Sequence, residues 1–247
     1  MVPIASDPPL PALPEPSRAQ LALSGLWITA AALLSAAVAL RLARDGGVLR
    51  WWVPVAALGG IAAADFASGL LHWAADTWGR ADLPVIGRRI LVPFRVHHVN
   101  PDDFLRRRFL DTNGDVAAIS LPLLLGLLAL PLDTVGQQAF AACGFAFCVV
   151  GAMTNQIHQW AHMPSPPRAV RTLQQTGLFL RRHEHAVHHR LPYHGHYCIT
   201  TGWWNGPLER IDFFRRLEAA ITWFTGARPR ADERSGAWPR GARGLDA

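Results

Sequence analysis

The stretch WWVPVAALGGIAAADFASGLLHW (residues 51–73) decides the class of fold. Its run is broken only by Asp65, Ser68 and His72. About 20 apolar residues suffice for a helix to cross the hydrocarbon core of a bilayer, and this stretch is that long. Three further runs read the same way, at 21–40, 116–132 and 139–153. The last two sit near the lower length limit, which leaves a re-entrant path open for one of them. Composition agrees. Half of the 247 residues are apolar and only 17% are charged, less charge than a soluble domain usually carries.

The reading that follows is an all-α integral membrane protein of about four transmembrane helices. It carries a cytoplasmic histidine-rich cap and an amphipathic surface helix. Residues 1–20, with six prolines and no basic n-region, read as a disordered lead-in rather than a signal peptide. One membrane domain occupies 21–225, and a flexible Arg- and Gly-rich tail follows over 226–247. Within the domain, 206–225 reads as one helix with Leu208, Ile211, Phe214, Leu217 and Ile221 on a face that would lie on the membrane surface.

All 24 basic residues are arginines, and the net charge of +6 suits an anionic membrane surface. With long apolar runs in the same chain, nucleic acid is excluded as the partner. Arginines crowd the segment 79–115 and the region after His158, so both are expected on the cytoplasmic side of the cell's inner membrane. Arg41, Arg44 and Arg50 fall on the other side, in smaller number. Three cysteines, two of them in an apolar run, make neither a disulfide framework nor a metal knuckle.

The chemistry lies in the eleven histidines. Ionisable groups at the ends of membrane helices are costly to place, so each is a functional candidate. Asp65, His72 and Asp76 share one helical face near the end of the second crossing. Asn155, His158 and His162 share another just past the fourth. His185, His188 and His189 form HxxHH, and His97 and His98 stand together before Pro101. Imidazole suits iron, zinc and copper. One tetrahedral zinc needs three or four ligands, whereas these eight histidines are an inventory for two metals. His183, His194 and His196 read as bystanders. Asp65 and Asp76 divide between partner of a ligand histidine, direct ligand and helix cap, with Asn155 another possible partner. The pair His183-Glu184 does not begin a zinc-protease HExxH, because Val187 holds the second histidine's place.

The stretches DFASGLLHWAADTWG (65–79), PFRVHHVNP (93–101), TNGD (112–115), TNQIHQWAH (154–162) and HAVHHRLPYHGHYCITTGWWNGPLERIDFFRRLE (185–218) carry a resemblance. Together they resemble the plasmanylethanolamine desaturase family, which includes bacterial CarF proteins and a plant plastid desaturase. The likeness runs from about residue 52 to about 233. It implies a membrane enzyme that removes two hydrogens from a lipid chain, using O2 and two iron ions held by histidine. In the plasmalogen-forming members the product is a vinyl ether. The family's histidines carry over onto His72, His97, His98, His158, His162, His185, His188 and His189, the set that spacing selects. Tyr193 departs from the pattern, since relatives often have histidine there.

Arg95, Arg107 and Arg182 are candidates to hold a phospholipid headgroup, because arginine meets phosphate bidentately. The same arginines also satisfy positive-inside topology. No flavin, haem or iron–sulfur signature is present, so electrons are expected from an external donor, cytochrome b5-like or ferredoxin-like. An acyl-chain desaturase, a lipid hydroxylase and a metal-binding membrane regulator without turnover are the other readings. The run Ile199-Thr200-Thr201-Gly202 belongs to the resemblance, and the sequence suggests no physical role for it.

Overall fold

A computed structural model describes residues 11–45, 50–191 and 193–230. Residues 1–10 of the lead-in and 231–247 of the tail lie outside the described residues. Among the described residues every regular element is helical. Four helices are long and apolar enough to cross a membrane. They are α1 (Arg18–Asp45), α2 (Trp52–Thr77), α5 (Phe109–Ala129) and α6 (Val135–Ala152). Between α2 and α5 run a π-helical turn (Gly87–Leu91), α3 (Val92–Val99) and α4 (Pro101–Leu105). After α6 come α7 (Thr154–His162), α8 (Arg168–Gln175), α9 (Arg182–His188), α10 (Asn205–Arg210) and α11 (Phe213–Thr225).

The third span begins earlier than its apolar run at 116. Its polar first turns are helical because the Asp111 carboxylate, at the third helical position, accepts the Arg108 N–H at 3.0 Å and pairs with the Arg108 guanidinium. The fourth begins at a capping box, in which the Thr134 and Gln137 side chains each accept the other's backbone N–H. The short α4 starts on Asn100, whose side chain caps the Asp103 N–H, with Pro101 at the first helical position.

Among the spans α1 packs on α5 and α2 on α6, with α5 against α6 between them. Lipid tails are as apolar as these helices, so close van der Waals approach through small residues supplies much of the association. At Gly60 of α2 a Cβ would fall 2.1 Å from the Cys143 carbonyl oxygen of α6. Gly60→Ala is therefore expected to destabilise the protein by about 1–3 kcal/mol, the usual cost of overpacking. At Gly126 a Cβ meets nothing within 4 Å, so Gly126→Ala serves as the neutral control. Thermal unfolding of both variants in detergent checks this.

The expected single helix over 206–225 is two. The break falls at Asp212, whose φ of 53° is left-handed. The bend lets Leu208 and Phe214 enter one apolar cluster with Trp73 and Tyr197, with Phe66, Leu70, Leu217 and Ile221 packed around it. Of the predicted apolar row, Leu208, Phe214, Leu217 and Ile221 thus pack toward α2 while Ile211 is exposed, and Trp223 and Phe224, 78% and 76% exposed, are what α11 offers outward. Glu218, buried on α11, accepts from the Trp73 indole N–H at 3.0 Å.

Both ends of the described chain also touch the cap. Asn100 and Arg107 donate to the carbonyls of Pro11, Leu13 and Pro14. The Arg230 N–H reaches Thr77 O at the end of α2.

Candidate metal centre

Four elements bring the histidines together. The end of α2 supplies His72, and α3 ends on His97 and His98. On α7, His158 and His162 lie one turn apart on one face, and α9 supplies His185 and His188 with His189 at its C-cap. Ties between elements hold this frame. Gln159 donates to Phe104 O and Arg107 O, both at 2.8 Å, and so locks α7 to the turn before α5. The Asn155 amide donates to Thr112 O on α5.

The donor atoms fall into two adjoining groups, each with its ligand atoms within 4.8 Å of one another. One holds His97, His158, His162, His185 and His189; the other holds His72, Asp76, His98 and His188. In the first group the Nε2 atoms of His158, His162 and His185 form a triangle with edges of 2.8, 2.8 and 3.3 Å. His189 Nε2 adds a contact of 3.0 Å to His185. In the second, one oxygen of Asp76 lies 3.3, 3.5 and 3.6 Å from Nε2 of His72, His98 and His188. Rings of the two groups touch, His98 lying 5.1 Å from His189 and His72 5.7 Å from His158 between centroids.

Hydrogen bonding alone does not explain this arrangement. A neutral imidazole has one N–H and one lone pair. His72 Nδ1 faces Tyr197 O at 3.1 Å and His188 Nδ1 faces Gly195 O at 2.9 Å, while His97 Nδ1 faces Phe94 O. A carbonyl only accepts, so the proton sits on Nδ1 in all three rings and the Nε2 lone pair points inward. His97 Nε2 is buried with no hydrogen-bond partner. Metal-binding histidines characteristically show this outer tie to a carbonyl. Nitrogens about 2.0–2.1 Å from one ion lie roughly 3 Å from each other, the spacing of the triangle. The donor set therefore fits metal ions, with room for two.

Electrostatics agree. Burial is the largest cause holding His97, His98, His158 and His185 well below the ordinary imidazole pKa, and neighbouring imidazoles add to it. Burial likewise pushes His162 down to about 4, assisted by His188 and Arg182. His188 and His189 are pushed down to about 3. All are neutral at pH 7, the form a metal requires.

The remaining predicted residues have other surroundings. Asp65 stands apart from both groups. Its carboxylate accepts the N–H groups of Thr200, Thr201, Gly202 and Trp204 at 3.1, 2.8, 3.0 and 3.2 Å. Arg95 is buried and donates to the carbonyls of Ala75, Trp78 and Gly79 at the end of α2. Arg107, also buried, is engaged by Asp103 and the Leu13 and Pro14 carbonyls. Arg182 is exposed on α9.

Of the three bystander histidines, His183 is exposed, His194 meets Arg215, and His196 lies between Glu184 and Glu209. Residues that spacing could not reveal are backbone ones. Gly195 (φ +85°) lies in a turn between left-handed Tyr193 and His196, and that turn aims its carbonyl at His188. A Cβ there would strike Glu209. Tyr193 stacks on the His98 ring at 4.8 Å.

The fold and site define a class: a helical membrane protein with a buried polyhistidine centre of metal-binding geometry, gathered where the spans end. The chain belongs to the lipid desaturase family, whose domain model matches residues 61–232. It is 44% identical to a plasmanylethanolamine desaturase of Myxococcus xanthus, over 74% of this chain and 65% of that protein. Against plasmanylethanolamine desaturase 1 of Mus musculus it is 44% identical, over 74% of this chain and 72% of the relative. The chloroplastic fatty acid desaturase 4 of Arabidopsis thaliana is 36% identical, over 72% of this chain and 54% of the plant protein. The chain thus spans just under two thirds of the Myxococcus relative's length and about half of the plant relative's. No solved structure matches.

Proposed function

We propose that the protein is an O2-dependent di-iron lipid desaturase that introduces the vinyl ether double bond of plasmalogens. The observation that carries this is the pair of inward-facing donor groups, five histidines in one and three histidines with Asp76 in the other. Two irons held there supply, when bound, the oxidising power needed to remove hydrogen from an unactivated carbon chain. His97, His158, His162, His185 and His189 would hold one metal, and His72, Asp76, His98 and His188 the other.

The chain's own residues do the rest. The carbonyls of Tyr197, Gly195 and Phe94 orient imidazoles, and apolar packing around the cap excludes water. A phospholipid is the substrate, its tail following the apolar spans toward the cap. Arg182, exposed beside His162, is the arginine of the three best disposed to meet its phosphate. The cap faces the cytoplasm from the inner membrane, where an external cytochrome b5-like or ferredoxin-like donor delivers electrons. A phospholipid acyl chain is the second reading, favoured by the likeness to the plant fatty acid desaturase.

Expression in a host that lacks the activity, fed alkyl-ether phospholipid, tests the first reading. Acid-labile vinyl ethers are expected, with about two irons per purified chain. New acyl double bonds without vinyl ethers would support the second reading instead. Hydroxylated lipids with no new double bond, or one zinc and no iron per chain, would overturn desaturation.

A further inference from the structure

We infer that Asp65 is a positioning residue: it anchors the segment 197–204 deep beside α2 and through it sets the aim of His72 and His188. The inference rests on the two-group metal reading above.

Asp65 lies eleven positions before Asp76 on α2, roughly 16 Å along the helix axis at about 1.5 Å per residue. It is 0% exposed. The non-helical segment that reaches it descends from the cap to membrane depth, and the Trp204 indole N–H meets Ala62 O at 2.8 Å. Irregular backbone at that depth persists only if its polar groups are satisfied within the protein, since the hydrocarbon offers no water.

The chain satisfies them with few side chains. The Asp65 carboxylate takes four N–H groups, and the Ser68 hydroxyl accepts the Ile199 N–H at 3.1 Å. The Asn205 amide closes on both the N–H and the carbonyl of Cys198, at 2.9 and 3.0 Å. Thr200 meets the hydroxyl of Thr154, at the start of α7, at 2.8 Å. Cys198 packs so closely on α2 that a Cβ at Gly69 would fall 2.4 Å from its sulfur.

The upper end of this anchored segment and the turn just before it hold the carbonyls that orient the second metal group. Tyr197 O receives His72 Nδ1–H, and Gly195 O, two residues earlier, receives His188 Nδ1–H. The five-histidine group takes no such tie from this segment. Its His97 is oriented by Phe94 O on α3. Releasing the anchor should therefore disturb one metal group and spare the other. This gives the run Ile199-Thr200-Thr201-Gly202 a role that spacing could not suggest.

The test uses the full chain carrying Asp65→Ala, purified from membranes with iron supplied, and two readouts. Labelling of Cys198 by N-ethylmaleimide, mapped by mass spectrometry, should rise about tenfold or more over wild type. Metal content should fall from two irons per chain to one, matching His72→Ala. Two irons with a protected Cys198 would overturn the inference, as would a labelled Cys198 with both irons retained or a folded variant stripped of both.

If Asp65→Ala is not recovered folded, Asp65→Asn replaces it. The amide retains an oxygen for three of the N–H groups but opposes the Trp204 N–H with another donor. Its iron affinity at the second group should drop about 10–100-fold, the usual effect of removing an outer tie. Wild-type affinity in that variant would overturn the inference. A wild-type chain holding fewer than two metals would instead overturn the two-metal reading, and Cys198 labelling would still decide whether Asp65 anchors the segment.

Discussion

Replacing His185 by alanine is expected to lower desaturase activity by more than about 100-fold while the chain remains folded in the membrane. His185 is the hub of the five-histidine group, with Nε2 within 2.8, 2.8 and 3.0 Å of those of His158, His162 and His189. Loss of an outer tie to a ligand typically costs 10–100-fold, so loss of a central ligand should exceed that range. The spans contain no part of α9, so insertion should persist. A ligand that binds only the folded state stabilises it, so the variant should also lose the rise in melting temperature that iron confers on the wild type. His183→Ala, two residues away on an exposed side chain, is the control and should keep full activity. Product analysis and iron content of both variants decide the matter. Wild-type turnover in His185→Ala would remove the first group from the mechanism.

Asp76→Asn is expected to have a comparable effect through the second group. Asp76 supplies the one carboxylate among the nine donors, and three imidazole Nε2 atoms approach the same oxygen. An iron ion held by neutral imidazoles alone keeps its full charge in a buried site, whereas a carboxylate offsets part of it. The amide keeps the size and removes the anion. Iron content should fall to about one per chain, with activity reduced by about 100-fold or more and melting of the iron-free protein little changed. Retention of two irons with normal activity would show that Asp76 is not a ligand. Asp65 and Asp76 lie on the same face of α2 by spacing, yet Asp65→Ala is expected to expose Cys198 and Asp76→Asn is not.

That contrast marks where the sequence stops being sufficient. The apolar runs predict four helices, and four helices of spanning length are present, because bilayer thickness dictates segment length without reference to neighbours. The histidine spacings put His158 with His162, and His185 with His188 and His189, on helical faces, and leave His97 and His98 as an adjacent pair; all eight converge, because a helical repeat of 3.6 residues acts locally. The start of the third span is missed because the Asp111 carboxylate holding the Arg108 N–H, rather than apolarity, begins it.

The division of eight histidines into groups of five and three is decided in three dimensions. His158 and His162 of α7 meet residues from α3 and α9, and spacing carries no information on which helix ends adjoin. The roles of Asp65 and Asp76 separate for the same reason. One faces four backbone N–H groups from a segment more than a hundred residues away, and the other faces three imidazoles. The outer ties from Tyr197, Gly195 and Phe94 are carbonyls that every residue possesses, so no residue type announces them.

Sequence alone determined that this chain crosses a membrane and gathers imidazoles at one end, since burial of apolar length and helical periodicity are properties of short segments. Tertiary structure alone decided which imidazoles lie together and which aspartate stands among them. Those depend on contacts between distant segments, and the closing of the bundle creates them.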